Sequence, residues 1–495
     1  MSLLSIALAC LATATAFACR RYAPDPLRTL LFSLCVLFAA FALLVPEPKR
    51  RIVARLKGLR WKRSQFCRGW LITGDTGSGK TSSGINQLLH QVFQNEPCWG
   101  GLCIDEKGVY WETLKAMADY YGRSDDLIQL EIRSDAPARK VGTAHRFNLT
   151  GNRDIPFSTY AKFVVDTATS LSQGGDKGFF KSQAQTHIAH ALELLYELGR
   201  PVALSGAYQL LSDPRQLQVA LEGLRELFFT PTRAGLVEHF ANRYVNQPEE
   251  QLGGVRETIG NYLQQFVTAE VAEVFCASES TFEFSDIDRG RIICVTMPQK
   301  FQTERRYVNT FLKLLFYNHA LRRFDKSMAE RANDNLLVLW ADEAQRFMTA
   351  SEDGTSDYNC VDVIREAGAT IVAAAQSSTS FIPPLGNDKS KVLTLNLRNR
   401  MIFRAADEAD ATQSADFLGK RRVVKRSWGY SGGRRSRNYQ ETEEHKIKPH
   451  ILRNLHDHEC VLVHCERGFR RVTLPPLNPN ARVAPWFSRW RRLVA

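Results

Sequence analysis

The sequence predicts an α/β protein with a parallel core sheet, a mostly helical insertion and two apolar segments near its N-terminus. Three observations predict this class. A complete phosphate-binding motif lies between a strand-like and a helix-like run within residues 70–91. A second strand-like run ends in two acidic residues at 342–343. Most of the chain between residues 180 and 285 has the apolar spacing of helices.

The phosphate-binding motif reads GDTGSGKT and fits G-x-x-x-x-G-K-[ST] at every fixed position. Trp70–Thr73 before it suits a buried strand, and Ser82–Gln91 after it has helical spacing. Its glycines let successive backbone N–H groups point at phosphate oxygens, beside a helix N-terminus. Lys80 is expected at the β- and γ-phosphates and the Thr81 hydroxyl on Mg²⁺, so ATP and Mg²⁺ are the predicted cofactors. The predicted nucleotide contacts are Gly74, Asp75, Thr76, Gly77, Ser78, Gly79, Lys80 and Thr81.

Two further strand-like runs end in polar groups that suit the same site. Leu336–Ala341 is followed by Asp342 and Glu343, and an acid at the carboxyl end of a buried strand can reach a metal beside the phosphate loop. We expect Asp342 to orient the Mg²⁺ shell and Glu343 to act as general base on the attacking water. The alternative is a strand that ends at a solvated acidic turn. Thr370–Ala375 ends at Gln376, whose amide is a candidate sensor of the γ-phosphate.

Two uncharged runs at the N-terminus suit membrane spans. Leu3–Cys19 and Thr29–Val45 have seventeen residues each, near the short limit for a hydrocarbon core about 30 Å thick. Two spans are favoured over a signal peptide followed by one anchor, because no basic residue precedes the first run. Three basic residues flank the turn between the runs and eight follow the second run. This asymmetry predicts that the large domain is cytoplasmic.

The charge and the cysteine content of the chain indicate what kind of partner it binds and which redox compartment it occupies. A net charge of +13 suits a partner with phosphates, although eleven basic residues lie within and just after the apolar pair. The eleven cysteines are scattered without a C-x-x-C pair, which is typical of a reducing compartment and not of a disulfide framework. A group of histidines and cysteines at 456–465 alternates as a strand does, which favours a strand over a zinc site.

The gap between the two nucleotide motifs indicates an insertion. Lys80 and Asp342 are 262 residues apart, more than a minimal core of this kind needs. Helices are predicted at Lys181–Leu198, from Pro214 onward, at Tyr262–Phe275 and at Val308–Phe324, with a strand at Arg291–Met297. The predicted domains are a transmembrane hairpin at 1–48, a basic linker at 49–66, a nucleotide-binding domain in two parts at 67–179 and 286–475, an all-α insertion at 180–285 and a basic tail at 476–495.

A second basic segment runs from Lys420 to Arg437, with eight basic residues, two aromatic residues and a flexible Ser-Gly-Gly centre. Such a segment could follow a nucleic-acid backbone while its aromatic rings stack on bases. The alternative is a disordered, solvated surface loop, as charge runs commonly are. The candidate DNA contacts are Lys420, Arg421, Arg422, Lys425, Arg426, Trp428, Arg434 and Arg435.

Several of these segments occur in the order found in one known family. Together they resemble the coupling ATPases of type IV secretion systems, the TraG/TraD type of conjugal transfer, within the FtsK/HerA group of translocases. The resemblance covers about residues 65–465 and rests on five segments: GDTGSGKT, DEKG at Asp105–Gly108, LWADEAQRF at Leu339–Phe347, REAGATIVAAAQS at Arg365–Ser377 and the block Asn396–Gly419.

The resemblance implies a RecA-like P-loop motor with an all-α domain, anchored in the bacterial inner membrane and assembled as a homo-hexamer. It implies ATP hydrolysis coupled to transfer of DNA, with a relaxase, other relaxosome proteins and a type IV secretion channel as partners. Arg365 is the candidate arginine finger, with Lys80, Glu343 and Gln376 as the other catalytic candidates. Two alternatives remain open: a coupling ATPase of the same fold that recruits effector proteins, and a nucleotide-dependent membrane adaptor that transports nothing.

Overall fold

The structure is a computed structural model that describes residues 52–132, 145–171, 178–351, 354–431 and 434–477. The predicted transmembrane hairpin at 1–48 and nearly all of the predicted tail lie outside these residues. No helix within the described ranges is both long enough and apolar enough to cross a membrane. The predicted domain boundaries therefore remain a prediction.

Thirteen strands occur in the described residues, and most coincide with buried apolar runs of the sequence. They are β1 (Ile52–Leu56), β2 (Leu59–Lys62), β3 (Trp70–Thr73), β4 (Gly100–Asp105), β5 (Leu127–Glu131), β6 (Ile292–Thr296), β7 (Leu337–Asp342), β8 (Ala369–Ala375), β9 (Asn399–Ile402), β10 (Lys420–Ser431), β11 (Arg434–His445), β12 (Glu459–His464) and β13 (Gly468–Thr473).

Nine of these strands form one sheet in the order β13-β12-β9-β3-β8-β7-β4-β6-β5. The seven strands from β9 to β5 are parallel to one another. At one edge, β12 pairs antiparallel with β9 and with β13. The predicted α/β class is confirmed, and the sheet is mixed because this antiparallel pair extends the parallel core.

Alternating side chains of the central strands lie in two separate cores, as the two-residue period of a strand requires. Leu337 and Leu339 of β7 belong to the core on one face of the sheet. Val338 and Trp340 belong to the core on the other face. Because both faces are covered, β7 is apolar at nearly every position, and this explains why it could be recognised as a continuous apolar run.

The helices of the described residues fill the faces of the sheet and the long connection between β5 and β6. They are α1 (Arg63–Phe66), α2 (Asn86–Asn95), α3 (Tyr110–Tyr120), α4 (Phe157–Leu171), α5 (Gly178–Glu197), α6 (Leu204–Ser212), α7 (Pro214–Glu226), α8 (Pro231–Glu238), α9 (Glu249–Val267), α10 (Ala269–Phe275), α11 (Gln302–Arg322), α12 (Met328–Asn333), α13 (Asp357–Cys360), α14 (Ile382–Leu385), α15 (Asn387–Asn396), α16 (Glu408–Leu418) and α17 (Pro449–Arg453).

The predicted helices of the insertion are found, with one correction. The helix α7 begins as its sequence predicts, with the Asp213 side chain accepting the backbone N–H of Arg215 and a proline at its first position. The helix predicted at Tyr262–Phe275 is instead the end of α9 and the whole of α10. Thr268 interrupts it with an extended backbone, at φ −53° and ψ 134°.

The basic segment from Lys420 onward is a β-hairpin and not an irregular loop. Its strands β10 and β11 pair along twelve residues each, from Lys420 opposite His445 to Ser431 opposite Arg434. These two strands form a sheet of their own, separate from the nine-stranded sheet. The loop interpretation was wrong because it read only the charge run and not the partner strand that follows it.

Candidate nucleotide site

The phosphate-binding loop, Gly74–Thr81, connects β3 to the first helical turn, as predicted. That turn, Lys80–Ile85, is π-helical and leads directly into α2. Lys80 is buried, and its Nζ donates hydrogen bonds to the backbone oxygens of Gly74 at 2.7 Å and Asp75 at 2.9 Å. Burial lowers the pKa of the Lys80 ammonium, and the nearby carboxylates of Glu343, Asp342 and Asp75 oppose this effect. The lysine is therefore held over the loop where a phosphate would bind.

The second motif meets the first across the sheet. The Thr81 hydroxyl donates a hydrogen bond to Oδ2 of Asp342 at 3.2 Å, although the two residues are 261 positions apart in the chain. Asp342 ends β7, which is separated from β3 by the single strand β8. Both contacting groups are oxygen donors of the kind Mg²⁺ prefers, and Mg²⁺ needs only one or two such protein groups because it keeps several waters. The predicted pair of Mg²⁺ residues thus fits the ion.

A further acidic residue, Asp105, lies beside Asp342 and was not predicted as a site residue. Asp105 ends β4 in register with Asp342 on β7, and its Oδ2 accepts the backbone N–H groups of Val109 and Tyr110. Burial, with the charges of Glu343 and Asp105, raises the pKa of Asp342 to about 6. Burial also raises the pKa of Asp105. The signal in the sequence was its position at the end of a neighbouring apolar strand.

Glu343 has an uncommon backbone conformation for a residue with a side chain. Its φ of 53° and ψ of 43° lie in the left-handed region, which disfavours L-residues by about 1–2 kcal/mol. The carboxylate of Glu343 accepts a hydrogen bond from Nε2 of Gln345 at 2.7 Å. Its backbone N–H donates to Asp342 at 3.0 Å. Strained residues cluster at functional sites, and this one lies directly after the Mg²⁺ candidate.

Gln376 and Arg365 lie at opposite ends of β8. The backbone oxygen of Gln376 accepts the N–H of Gly74 at 3.1 Å, which places Gln376 beside the phosphate loop with an exposed side chain. Arg365 precedes the other end of β8, and seven strand residues span about 23 Å. Its half-exposed guanidinium lies 3.8 Å from Glu366. Arg365 therefore cannot reach the phosphate loop of its own chain, and a catalytic role for it requires a neighbouring subunit.

An arginine that the sequence did not single out holds the phosphate loop from the side. Nε of Arg404, just beyond β9, lies 2.8 Å from Oδ2 of Asp75, and its Nη1 lies 2.9 Å from Asp457. The backbone oxygen of Arg404 also accepts the N–H of Asp75 at 2.8 Å. Arg404 thus fixes the second residue of the loop through both its backbone and its side chain.

His458 closes the opposite side of the loop. Its Nδ1 lies 2.9 Å from the Ser83 hydroxyl, and its backbone N–H donates to the oxygen of Ser78 at 2.9 Å. A Cβ at Gly79 would lie only 2.6 Å from the same imidazole nitrogen, and the φ of Gly79 is 99°. Glycine is required at this position both for the backbone conformation and for the close approach of His458.

The candidate DNA contacts are divided between the two strands of the hairpin. Lys420, Arg421, Arg422, Lys425, Arg426 and Trp428 lie on β10, and Arg434 and Arg435 lie on β11. The side chains of the last two are outside the described structure. None of these residues lies in the phosphate loop, so the hairpin is a second candidate site.

Comparison with known proteins gives a family match for part of the chain and several solved structures with a similar fold. Residues 356–475 match the family model of the type IV secretion-system coupling protein DNA-binding domain. Among solved structures, the chain is similar to the unbound bacterial conjugative coupling protein TrwBdeltaN70, with a TM-score of 0.63, 15% identity and coverage of 88% of this chain and 90% of that chain.

Two nucleotide complexes of the plasmid coupling protein TrwB are also similar. The complex with ADP and Mg²⁺ has a TM-score of 0.61 at 17% identity and covers 88% of this chain and 92% of that chain. The complex with the non-hydrolysable GTP analogue GDPNP has a TM-score of 0.62 at 15% identity, with coverage of 88% and 91%. No curated protein sequence matches the chain. The predicted resemblance is confirmed: residues 356–475 match the type IV secretion-system coupling protein DNA-binding domain, and the fold of the chain is similar to that of a conjugative coupling protein.

Proposed function

We propose that this protein is an ATP-driven coupling protein that recruits a relaxase–DNA complex to a type IV secretion channel and moves the DNA during conjugative transfer. The contact between Thr81 and Asp342 carries this proposal, because it joins the phosphate loop to a carboxylate suited to Mg²⁺. The family match of residues 356–475 supports DNA as the cargo.

The residues of the site supply distinct parts of ATP hydrolysis. Lys80 exchanges its hydrogen bonds with the loop oxygens for bonds to the β- and γ-phosphates. Thr81 and Asp342 would hold Mg²⁺, which when bound neutralises charge on the phosphate oxygens. Glu343 accepts a proton from the attacking water, and Gln376 at the tip of β8 responds to the γ-phosphate.

A neighbouring subunit completes the site in this proposal. Charge that develops on the γ-phosphate needs a further cation, and an arginine finger contributes about 10³–10⁵ in rate. Arg365 lies at the edge of the sheet away from its own phosphate loop, so it can act only on the nucleotide of the next subunit. This geometry favours a closed ring, and we propose a homo-hexamer.

The decisive experiment is the rate of ATP hydrolysis by the full-length protein with no DNA, with single-stranded DNA and with duplex DNA. We expect DNA to raise the rate and Lys80→Ala to abolish it. Lys115→Ala is the matched control, because Lys115 is an exposed lysine on α3 that pairs only with Asp119 in the described structure. A rate of hydrolysis that is the same with and without either kind of DNA would favour effector recruitment or an adaptor. If the wild-type protein hydrolyses no ATP, the adaptor is the alternative that remains.

We also propose that residues 1–48 anchor the protein in the bacterial inner membrane by two spans, with the large domain in the cytoplasm. The charge asymmetry of the sequence supports this orientation. Ala23→Cys should be labelled by an impermeant thiol reagent in intact cells, since only the turn at Tyr22–Pro26 would lie outside. Ser64→Cys should stay unlabelled, and the reverse pattern would invert the proposed topology.

A further inference from the structure

The hairpin β10–β11 projects large side chains into solvent. Val424, Trp428 and Tyr439 are 50%, 60% and 56% exposed. A two-stranded hairpin without a core is marginally stable on its own, and several exposed apolar side chains on one element are a feature of binding surfaces. The exposed aromatic rings on this hairpin therefore indicate a candidate ligand-binding surface.

The hairpin has two halves of different charge. The inner half consists of Lys420–Lys425 and Gln440–His445, and its sequence contains four basic and three acidic residues. Lys425 lies 3.0 Å from Glu444, which also lies 3.3 Å from Lys448. Asp416 on α16 accepts from His445 at 2.9 Å and lies 3.6 Å from Lys420. Two of its four basic residues, Lys420 and Lys425, thus have an acidic partner, and its three acids leave the inner half with a net charge of only +1.

The outer half consists of Arg426–Ser431 and Arg434–Tyr439. Its sequence contains four arginines, three aromatic residues and no acid. Of the ion pairs that the described side chains form, none involves Arg426 or Arg437, so their charge is not neutralised there.

Four described side chains of the outer half share one face. The register places Trp428 opposite Arg437 and Arg426 opposite Tyr439, two residues farther along each strand. Residues two apart on a strand, and residues directly opposite each other, lie on the same face. The Arg437 guanidinium lies 4.7 Å from the Trp428 ring centre, and that of Arg426 lies 5.6 Å from the Tyr439 ring centre. Each ring is therefore paired with an arginine on an exposed surface.

We propose that this face binds single-stranded DNA, with Trp428 and Tyr439 stacked on bases and Arg426 and Arg437 beside the phosphates. Flat rings next to guanidinium groups that have no acidic partner in the described structure fit a strand whose base faces are open, whereas a duplex hides those faces. The inference deepens the proposed function, on which it rests, by naming the form of DNA and the element that contacts it. In this proposal the earlier candidate contacts Lys420 and Lys425, each of which has an acidic partner, support the hairpin and do not bind the strand.

The test is the affinity of the full-length protein for a fluorescent thirty-residue oligo-thymidine at several salt concentrations. Arg426→Gln with Arg437→Gln removes two outer cations, and Lys420→Gln with Lys425→Gln removes two inner cations as the matched comparison. We expect the outer pair to weaken binding about ten-fold and to reduce the slope of log affinity against log salt by about 0.7 per cation. The inner pair should change both quantities much less.

Stacking is tested separately at Trp428. Trp428→Ala should weaken binding about ten-fold at every salt concentration, since base–aromatic stacking is worth about 1–3 kcal/mol per base. Trp428→Phe should restore most of the affinity, because a smaller ring still stacks. Circular dichroism and nucleotide affinity of each variant verify that it is folded.

Each remaining outcome contradicts a different statement. Equal losses from the outer and inner pairs would overturn the assignment of the outer face while leaving DNA as cargo. A wild-type protein that hydrolyses ATP but binds no DNA would overturn the proposed function together with this inference. Aromatic and basic residues also suit an anionic membrane surface. If the outer variants lose binding to vesicles of phosphatidylglycerol but keep binding to the oligonucleotide, the hairpin is a membrane contact and the inference is wrong.

Discussion

Replacing Asp342 by asparagine should stabilise the protein without nucleotide and Mg²⁺ while it abolishes hydrolysis. The environment of Asp342 raises the pKa of its carboxyl from 3.8 to about 6, so the folded state holds its proton more tightly than the unfolded state. The charged carboxylate is therefore disfavoured in the folded protein. The contribution of Asp342 to the free energy of unfolding falls as the pH rises from about 4 to about 6. Asparagine keeps an oxygen for the Glu343 N–H and carries no charge, so it avoids this loss.

The size of the effect follows from the two pKa values. A difference of about two between the pKa values corresponds to about 3 kcal/mol at pH 8, and the same relation gives about half of that at pH 5. These are upper values, because part of the Asp342 side chain still meets solvent. For a unit of about 440 residues, unfolding entropy converts 3 kcal/mol into a rise in melting temperature of about 3 °C.

Thermal unfolding of full-length protein in EDTA at pH 5 and pH 8 measures this gain. Asp119→Asn is the control, because a hydrogen bond from Ser124 lowers the pKa of that exposed carboxyl and its removal should not stabilise. Addition of ATP analogue and Mg²⁺ should reverse the order, since only wild type gains the full binding energy. An Asp342→Asn protein that melts at or below the wild-type temperature at pH 8 in EDTA would refute the reasoning.

Three further predictions concern catalysis and the core. Glu343→Gln should bind nucleotide normally but hydrolyse it about 10²–10⁴-fold more slowly, and a wild-type rate would exclude its role as the base. Arg365→Ala and Lys80→Ala subunits, each inactive alone, should recover partial ATPase activity when mixed, because some interfaces then pair an intact loop with an intact finger. No recovery in rings shown to be mixed would leave Arg365 without a role in trans. Lys313→Met should destabilise the fold by about 3–5 kcal/mol in thermal unfolding, because it leaves the carboxylate of Asp357, fully buried like Lys313 itself, without its cation. An unchanged melting temperature would contradict a stabilising role for the pair of Lys313 and Asp357.

The core of the nucleotide site could be predicted from the sequence because each of its parts is local. Trp70–Thr73 forms β3 with the predicted bounds, and Leu337–Asp342 forms β7 within one residue of the prediction. Parallel strands end at one edge of a sheet, so the residues after β3, β7 and β8 were expected near each other. The hydrogen bond from Thr81 to Asp342 agrees with this expectation.

Contacts between distant residues could not be predicted in the same way. Arg404 meets Asp75 across 329 positions, and His458 meets Ser83 across 375. Neither pair belongs to a repeated pattern, so only the folded sheet brings them together. The interruption at Thr268 escaped prediction because the apolar spacing continues through it. The hairpin was missed because most residues of its strands are charged or polar and its few apolar residues do not alternate regularly.

The two residues that hold the phosphate loop from its sides also flank the hairpin in the chain, and this has a mechanical consequence. Arg404 precedes the first residue of the hairpin by sixteen positions, and His458 follows its last residue by thirteen. Both covalent paths out of the hairpin therefore lead to residues that contact the phosphate loop, Arg404 at Asp75 and His458 at Ser78. A strand of DNA that pulls on the hairpin tip would load the phosphate loop from two directions, through a shorter length of chain than links the hairpin to β7. Tension on the cargo would then change the rates at which nucleotide binds and leaves, so the turnover of this protein should depend on force as well as on substrate concentration.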